Sequence, residues 1–359
     1  MHFSYSPLFL RLFRFAFVCT NEDRKLRRGI RGGDHLQPGE TMQAKNTHIG
    51  SEKTKHPRIY IIGAGAIGKA LAVFLRQESK EVLLIRGSVD NKPPREDMVT
   101  VTDHDGRQYQ QKITTTTFSN LELIDGVVLI ATKTFANPHL ANKLQEISGT
   151  FSIVLLQNGL NIERAFASYD EVYRCVLFAT SQVRGDNQLT FKTVTASPVG
   201  TINGSQSKPD TIVNHITTPY FPFRSEWEIT RYIWEKTILN CAFNSICPLL
   251  EVDNGIFHRN ADARELAQTV IGECIALAEQ YAIDLDRDDL EEKLLLISKR
   301  SDGQRISTYE DIRNNRRTEI DSLNLEMARL ADEAGRPELV TRTKLLGEMI
   351  RIKSEIRSG

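Results

Sequence analysis

The stretch Arg58-Ile-Tyr-Ile-Ile62-Gly63-Ala64-Gly65-Ala66-Ile67-Gly68 decides the fold. Its first five residues form a short β-branched run, which predicts a strand buried on both faces of a parallel sheet. Three glycines follow at once, and Ala70, Leu71, Val73, Phe74 and Leu75 then recur at helical spacing. A lone G-x-G-x-x-G is weak evidence, but between a strand and a helix each glycine has a physical role. Gly63 permits a tight turn, Gly65 lets the backbone approach a pyrophosphate, and Gly68 allows close packing of helix on strand. The phosphate charge would lie at the helix N-terminus, where free N–H groups and the helix dipole favour an anion. The six residues Gly63, Ala64, Gly65, Ala66, Ile67 and Gly68 are therefore read as a dinucleotide cradle. A glycine-rich turn without a ligand is the alternative.

The pattern continues downstream. Glu81-Val-Leu-Leu-Ile-Arg86 is a second strand. At its end an NAD-preferring protein places an acid against the ribose 2′-hydroxyl, and here Arg86 stands instead. A guanidinium suits a 2′-phosphate, so NADP is favoured as cofactor. The polar, threonine-rich segment from Met98 to Phe118, broken by Asp105-Gly106, reads as a hairpin inserted into the domain. Gly126–Ala131 is a buried strand ending at Thr132-Lys133. Pro138–Ile147 is a helix, and Phe151–Leu156 is a strand ending at Gln157-Asn158-Gly159. Ligands of open α/β sheets lie outside the carboxyl ends of the strands, which is where Lys133 and Asn158 fall. From Val172 to Thr218 the pattern weakens into short strands and turns, including Arg184-Gly-Asp-Asn187. Beyond Trp227 it is mostly helical, with a boundary near Glu226.

Composition bounds the alternatives. A chain of 359 residues with 40% hydrophobic residues is expected to divide into two domains. The 46 basic and 46 acidic residues balance, so neither a nucleic-acid patch nor an acidic tail is indicated. The five cysteines are scattered, without CxxC or histidine at metal-ligand spacing, which argues for a reduced compartment and no metal site. Apolar runs fall short of the roughly 18 residues of a membrane span. Residues 1–57 lack core periodicity. They read as an unstructured extension or a start assigned too early, with Met42 the natural initiator and a targeting segment the alternative.

The most informative segment of the second half runs from Tyr232 to Cys247. Lys236, Asn240 and Asn244 stand at i, i+4 and i+8, so on a helix they line one face. Ile233, Trp234, Ile238, Leu239, Ala242, Phe243 and Ile246 make most other directions apolar, so the helix should be largely buried. A lysine and two amides there need partners, either a core carboxylate or a bound substrate. A second polar cluster, Ser307-Thr308-Tyr309-Glu310-Asp311 followed by Thr318-Glu319-Ile320-Asp321, reads as a capped helix start and a loop into the next helix.

From Arg58 onward the chain resembles the ketopantoate reductase (2-dehydropantoate 2-reductase) family. The resemblance is carried by Gly63–Gly68, Lys133 after a strand, Gln157-Asn158-Gly159, Trp-Glu-Lys236-x3-Asn240-x3-Asn244, Ser307-Thr308-x2-Asp311 and Thr318-Glu319-Ile320-Asp321. It implies a Rossmann-type α/β N-terminal domain over residues 58–226 and an all-α domain over 227–359, with the active site in the cleft between them. It implies NADPH-dependent reduction of ketopantoate to pantoate by a cytoplasmic enzyme, and leaves a homodimer open. Carried over by residue, it implies Lys236 as proton donor with Glu319 as catalytic companion; chemically, Glu319 could accept from the substrate's hydroxyl and hold Lys236 in place. Asn240, Asn244, Asn254 and Ser307 would hold the substrate, Lys133 and Asn158 the nicotinamide end of the cofactor, and Arg86 the 2′-phosphate. Three positions depart from the family pattern. Ser245 follows Asn244 where proline is common, Ile306 replaces a serine, and Ala179–Gln182 lacks a histidine. They leave open a reductase of another small 2-oxo acid on the same fold.

Overall fold

The strand Arg58–Ile62 distributes its side chains as a doubly covered strand must. Ile59 and Ile61 enter one apolar cluster with Leu71, Phe74 and Leu75, while Tyr60 and Ile62 enter another with Leu140 and Leu144. Alternation of period two thus feeds two cores, one on each face of the sheet. The structure is a computed structural model that describes residues 57–204 and 209–358; the reading of residues 1–57 as an extension falls, Pro57 apart, outside them.

Among the described residues eleven strands form one sheet. They are β1 (Arg58–Ile62), β2 (Val82–Ile85), β3 (Arg95–Thr102), β4 (Gln108–Thr116), β5 (Gly126–Ile130), β6 (Phe151–Leu155), β7 (Val172–Cys175), β8 (Ala179–Gly185), β9 (Gln188–Thr193), β10 (Ser197–Asn203) and β11 (Phe223–Ser225). Across the sheet the order is β11-β10-β7-β6-β5-β1-β2-β4-β3-β9-β8. The central pairings are parallel and in step: Ile62 lies beside Ile85 and Ile130, and Ile130 beside Leu155. Gly63, Arg86, Thr132-Lys133 and Gln157-Asn158 therefore emerge along one edge.

Helix α1 (Ala66–Gln77) covers one face and α2 (Asn137–Gln145) the other. The hairpin expected between Met98 and Phe118 forms as β3 and β4, but it is not an insertion. Strand β4 runs parallel to β2 and β3 parallel to β9, so the hairpin carries the sheet onward. The stretch read as strands and turns also contains a helix, α3 (Pro209–Ile216), whose Ile212, Val213 and Ile216 pack on the α1 face. Its single apolar stripe is too short for periodicity to separate from a strand.

The chain then turns helical, with α4 (Ile229–Leu250), α5 (Ile256–Arg259), α6 (Ala261–Gln280), α7 (Arg287–Arg300), α8 (Ser307–Arg313), α9 (Asn324–Glu333) and α10 (Thr341–Ser358). Glu226 lies between the last strand and α4. Helix α4 is the axis of the second core, with Ile238, Cys241, Ala242 and Cys247 fully buried. It ends at Glu251 in the left-handed conformation, whose N–H returns to the Cys247 carbonyl. The helix start at Ser307 forms as expected but without the expected cap, because Ile306 holds the N-cap position and supplies no side-chain hydrogen bond.

The helical layer meets the sheet edge at Gly159. Its φ is +107°, and an added Cβ would lie 2.4 Å from the Ser322 carbonyl oxygen. The next N–H, of Leu160, donates to that same oxygen at 3.0 Å. Close backbone approach and positive φ both demand glycine here. Gly159→Ala should therefore lower the unfolding free energy by about 2–4 kcal/mol in urea titration. Gly65→Ala, where an added Cβ meets nothing within 4 Å, should unfold at nearly the native midpoint.

Candidate active site

Lys236, on α4, lines a small cleft with Gln157, Asn158 and Gly159 from the sheet edge and with Cys175, Ile233 and Thr237. Its ammonium donates to the Leu177 carbonyl oxygen and stands 5.7 Å from the centre of the Phe178 ring. Among the described residues no carboxylate forms an ion pair with it. Burial therefore governs its titration, pulling the pKa from the ordinary lysine range to about 8. The Cys175 side chain opposes that shift and the buried Arg174 guanidinium reinforces it.

The remaining members of the stripe differ in availability. Asn240 is half-buried with no hydrogen-bond partner among the described residues. Asn244 is buried, and its Oδ1 accepts from Thr308 Oγ1 at 2.7 Å, tying α4 to α8. Asn254 is buried, with its Oδ1 unpaired. Its backbone is fixed by N–H donation to Gln304 and by Ser298 Oγ donating to its carbonyl. Ser307 is exposed at the first position of α8. Asn158 is half-buried, facing the same cleft as Lys236.

Glu319 does not hold Lys236. Its Oε2 accepts from Lys133 Nζ at 3.1 Å and its Oε1 from the Thr134 N–H at 3.0 Å. Lys133 also donates to Asp311 Oδ2 at 2.7 Å, so this lysine, expected to reach a cofactor, sits between two carboxylates of the helical layer. The partners lie 178 and 186 residues away, a separation at which sequence carries no pairing signal. Burial pulls the Lys133 pKa down, but Glu319 and Asp311 outweigh it and the net direction is up. The site thus contains one lysine with two carboxylates and one with none.

Other contributors were given no role from the sequence. Gln157 and Asn137 exchange side-chain hydrogen bonds at 2.7 and 3.0 Å, and Gln157 also donates to the Thr132 carbonyl, locking the ends of β5 and β6 together. Arg174, fully buried on β7, binds Glu163 and donates to the Gly159 carbonyl at 2.7 Å. An arginine inside a strand is the one sequence cue that would have pointed to it.

The residues fit a dinucleotide. Gly63 has φ +123°, and its Cβ would meet the Ala131 carbonyl carbon at 2.7 Å. A Cβ on Gly68 would lie 2.0 Å from the Gly63 oxygen, whereas one on Gly65 points into open space. The start of α1 has no side-chain cap and no acid in its first turn, so its N–H groups stay available to an anion. Arg86 follows β2, and among the described residues its side chain has no partner.

Comparison with known proteins gives the same architecture. Family models described as Ketopantoate reductase PanE/ApbA and Ketopantoate reductase PanE/ApbA C terminal match residues 59–204 and 228–354. The chain belongs to the ketopantoate reductase family. The 2-dehydropantoate 2-reductase of Aquifex aeolicus is 25% identical over 294 residues, covering 77% of this chain and 91% of that one. A structure of D-mandelate dehydrogenase with NADH and anilino(oxo)acetate aligns at TM-score 0.72 and 20% identity, covering 84% of this chain and all of the other. The dimeric ketopantoate reductase from Staphylococcus aureus aligns at TM-score 0.68 and 20% identity, covering 84% and 99%. Members of this family are oxidoreductases acting on a CH–OH/ketone pair.

The Lys133 bridge is testable within this ketopantoate reductase fold. Lys133→Met leaves Glu319, among the described residues, without a cation and Asp311 with Arg316 alone, whose Nε donates to Asp311 Oδ1 at 3.0 Å. Because the lysine side chain is itself 37% exposed, the loss should be about 1–3 kcal/mol, less than for a fully enclosed pair. Double-mutant cycles with Asp311→Asn in urea should return a favourable coupling, and a coupling of zero would remove the bridge from the account.

Proposed function

We propose that the protein reduces 2-dehydropantoate to pantoate with NADPH, a step toward pantothenate and coenzyme A. The observation that carries the reading is Lys236, a desolvated lysine without a carboxylate, on the same cleft as Asn158. Nicotinamide cofactors supply a hydride to a carbonyl carbon when bound. The negative charge then developing on the carbonyl oxygen needs a cation and a proton. Lys236 provides both, held by the Leu177 carbonyl so that its other N–H bonds point elsewhere. A pKa of about 8 keeps it mostly protonated at neutral pH while making it a far better acid than free lysine.

In this reading Asn240, Asn244, Asn254 and Ser307 hold the substrate's carboxylate and hydroxyl. The unpaired oxygen of Asn254 supports such a role, since it accepts readily from a hydroxyl. Lys133 and Asn158 act near the nicotinamide end, and Arg86 takes the 2′-phosphate. Glu319 acts through Lys133 and Thr134, fixing the edge the cofactor must cross. The described cysteines are free thiols, which supports a reducing compartment such as the cytoplasm. A second reading has the same chemistry on another small 2-oxo acid. It is kept open by Ser245 after Asn244, a departure from the family pattern. Turnover on a panel of 2-oxo acids, followed by NADPH absorbance, separates the two.

Lys236 also dictates a pH profile. As the proton donor it is active when protonated, so kcat/KM for reduction should be flat below pH about 8 and fall above it. Folding lowers this pKa, so carrying the proton at neutral pH costs the folded state stability. That cost is complete below about 8 and fades toward the unfolded value of about 10.4. Lys236→Ala should therefore melt no lower than the parent at pH 7 and bind NADPH normally, yet lose a factor on the order of 10² or more in turnover. A variant with full turnover on ketopantoate would sink the mechanism.

A further inference from the structure

Lys69 is the residue after the last glycine of the cradle, on the first turns of α1. Its Nζ donates to Asn187 Oδ1 at 2.8 Å, and no carboxylate forms an ion pair with it among the described residues. Asn187 occupies the turn between β8 and β9 in the left-handed conformation, φ +57°. Its carbonyl accepts from the Thr100 N–H at 2.8 Å, pinning the turn to β3. The same hairpin reaches the cradle again, where Ser181 Oγ donates to the Ala66 carbonyl at 3.2 Å. Two independent ties thus hold the β8–β9 hairpin against the start of α1.

The end of β2 lies in the same neighbourhood. The Arg86 N–H donates to the Thr116 carbonyl at 2.9 Å, and Thr115 pairs across the sheet with Arg95. Arg95 is bound to Asp97 at 2.8 Å, whereas Arg86 has no partner among the described residues. Lys69 feels all of these charges. Burial depresses its pKa most, Asp97 and Asp186 raise it, and Arg95 and Arg86 lower it. Lys69 and the four charged groups that act on it thus make three cations against two carboxylates, and the Arg86 guanidinium has no partner among the described residues. A doubly charged phosphate relieves that repulsion, and the two charge types match.

We infer that Lys69 and Arg95 join Arg86 in one site for the 2′-phosphate of the adenosine ribose, and that Asn187 at the hairpin turn positions Lys69 for it. The inference rests on the NADPH reading above and adds to it two ligands and a positioning residue. The test measures binding, independent of turnover. Calorimetric titration of the intact protein with adenosine 2′,5′-bisphosphate and with adenosine 5′-monophosphate gives the preference for the 2′-phosphate. Lys69→Gln, which keeps a side chain able to bond Asn187, should reduce that preference by about tenfold through weaker bisphosphate binding, with the monophosphate unchanged. Lys69→Arg should retain it. Arg95→Ala and Asn187→Ala should each lower it by a smaller factor, and the bisphosphate affinity of the parent should fall with rising salt. A Lys69→Gln protein with the parental preference, or one that weakens both ligands equally, overturns the inference and leaves the Arg86 assignment standing. A parent protein with no preference for the bisphosphate overturns the NADPH reading as well.

Discussion

The arrangement of the site depends on one ammonium placed between two carboxylates. Lys133 leaves the carboxyl end of β5, and Asp311 and Glu319 approach it from the helical layer. Both acids are largely buried, and each has the Lys133 ammonium within hydrogen-bond reach, Asp311 adding Arg316 on its other oxygen. The bridge aligns the contacts around it. Glu319 also receives the Thr134 N–H, Asp311 lies on the same helix as Thr308, and Thr308 bonds the Asn244 amide on α4. A continuous series of contacts therefore runs from the sheet edge to the helix that bears Lys236. The Gly159–Ser322 contact closes the same seam from the other side.

The two lysines illustrate how environment divides labour between identical side chains. Both leave water on folding, and desolvation is the largest influence on each. Lys133 recovers that loss from two carboxylates and its pKa rises, so it stays a fixed charge. Lys236 meets a carbonyl oxygen, an aromatic ring, a thiol and a buried arginine but, among the described residues, no carboxylate, and its pKa falls to about 8. A group that gives up and regains a proton near neutrality is suited to acid catalysis; one held far above it is suited to structure.

Much of the architecture was legible from the amino-acid sequence. The strand Arg58–Ile62, the glycines after it and the apolar run of α1 are local signals, since a buried parallel strand and a tight strand-to-helix turn each impose composition on adjacent residues. The side of α4 that carries Lys236, Asn240 and Asn244 was likewise set by helical period alone. The crowding at Gly68 is likewise local, against the Gly63 oxygen five residues before it, whereas that at Gly63 comes from Ala131 and Thr132 after β5.

Pairing across distance stayed open until the chain was folded. Whether Lys236 would meet a carboxylate or a cleft was undecided by its own helix, and Glu319, expected to hold Lys236, pairs with Lys133 instead. Lys133 and Lys236 present the same ammonium, and no local rule distinguishes which one an acid far along the chain will reach. The continuation of the sheet through β4, β3 and β9, and with it the meeting of Asn187 and Lys69, was equally invisible. Secondary structure follows from forces between residues a few positions apart. Ion pairs, burial and the pKa values they set depend on which surfaces pack together, and only the folded chain determines that.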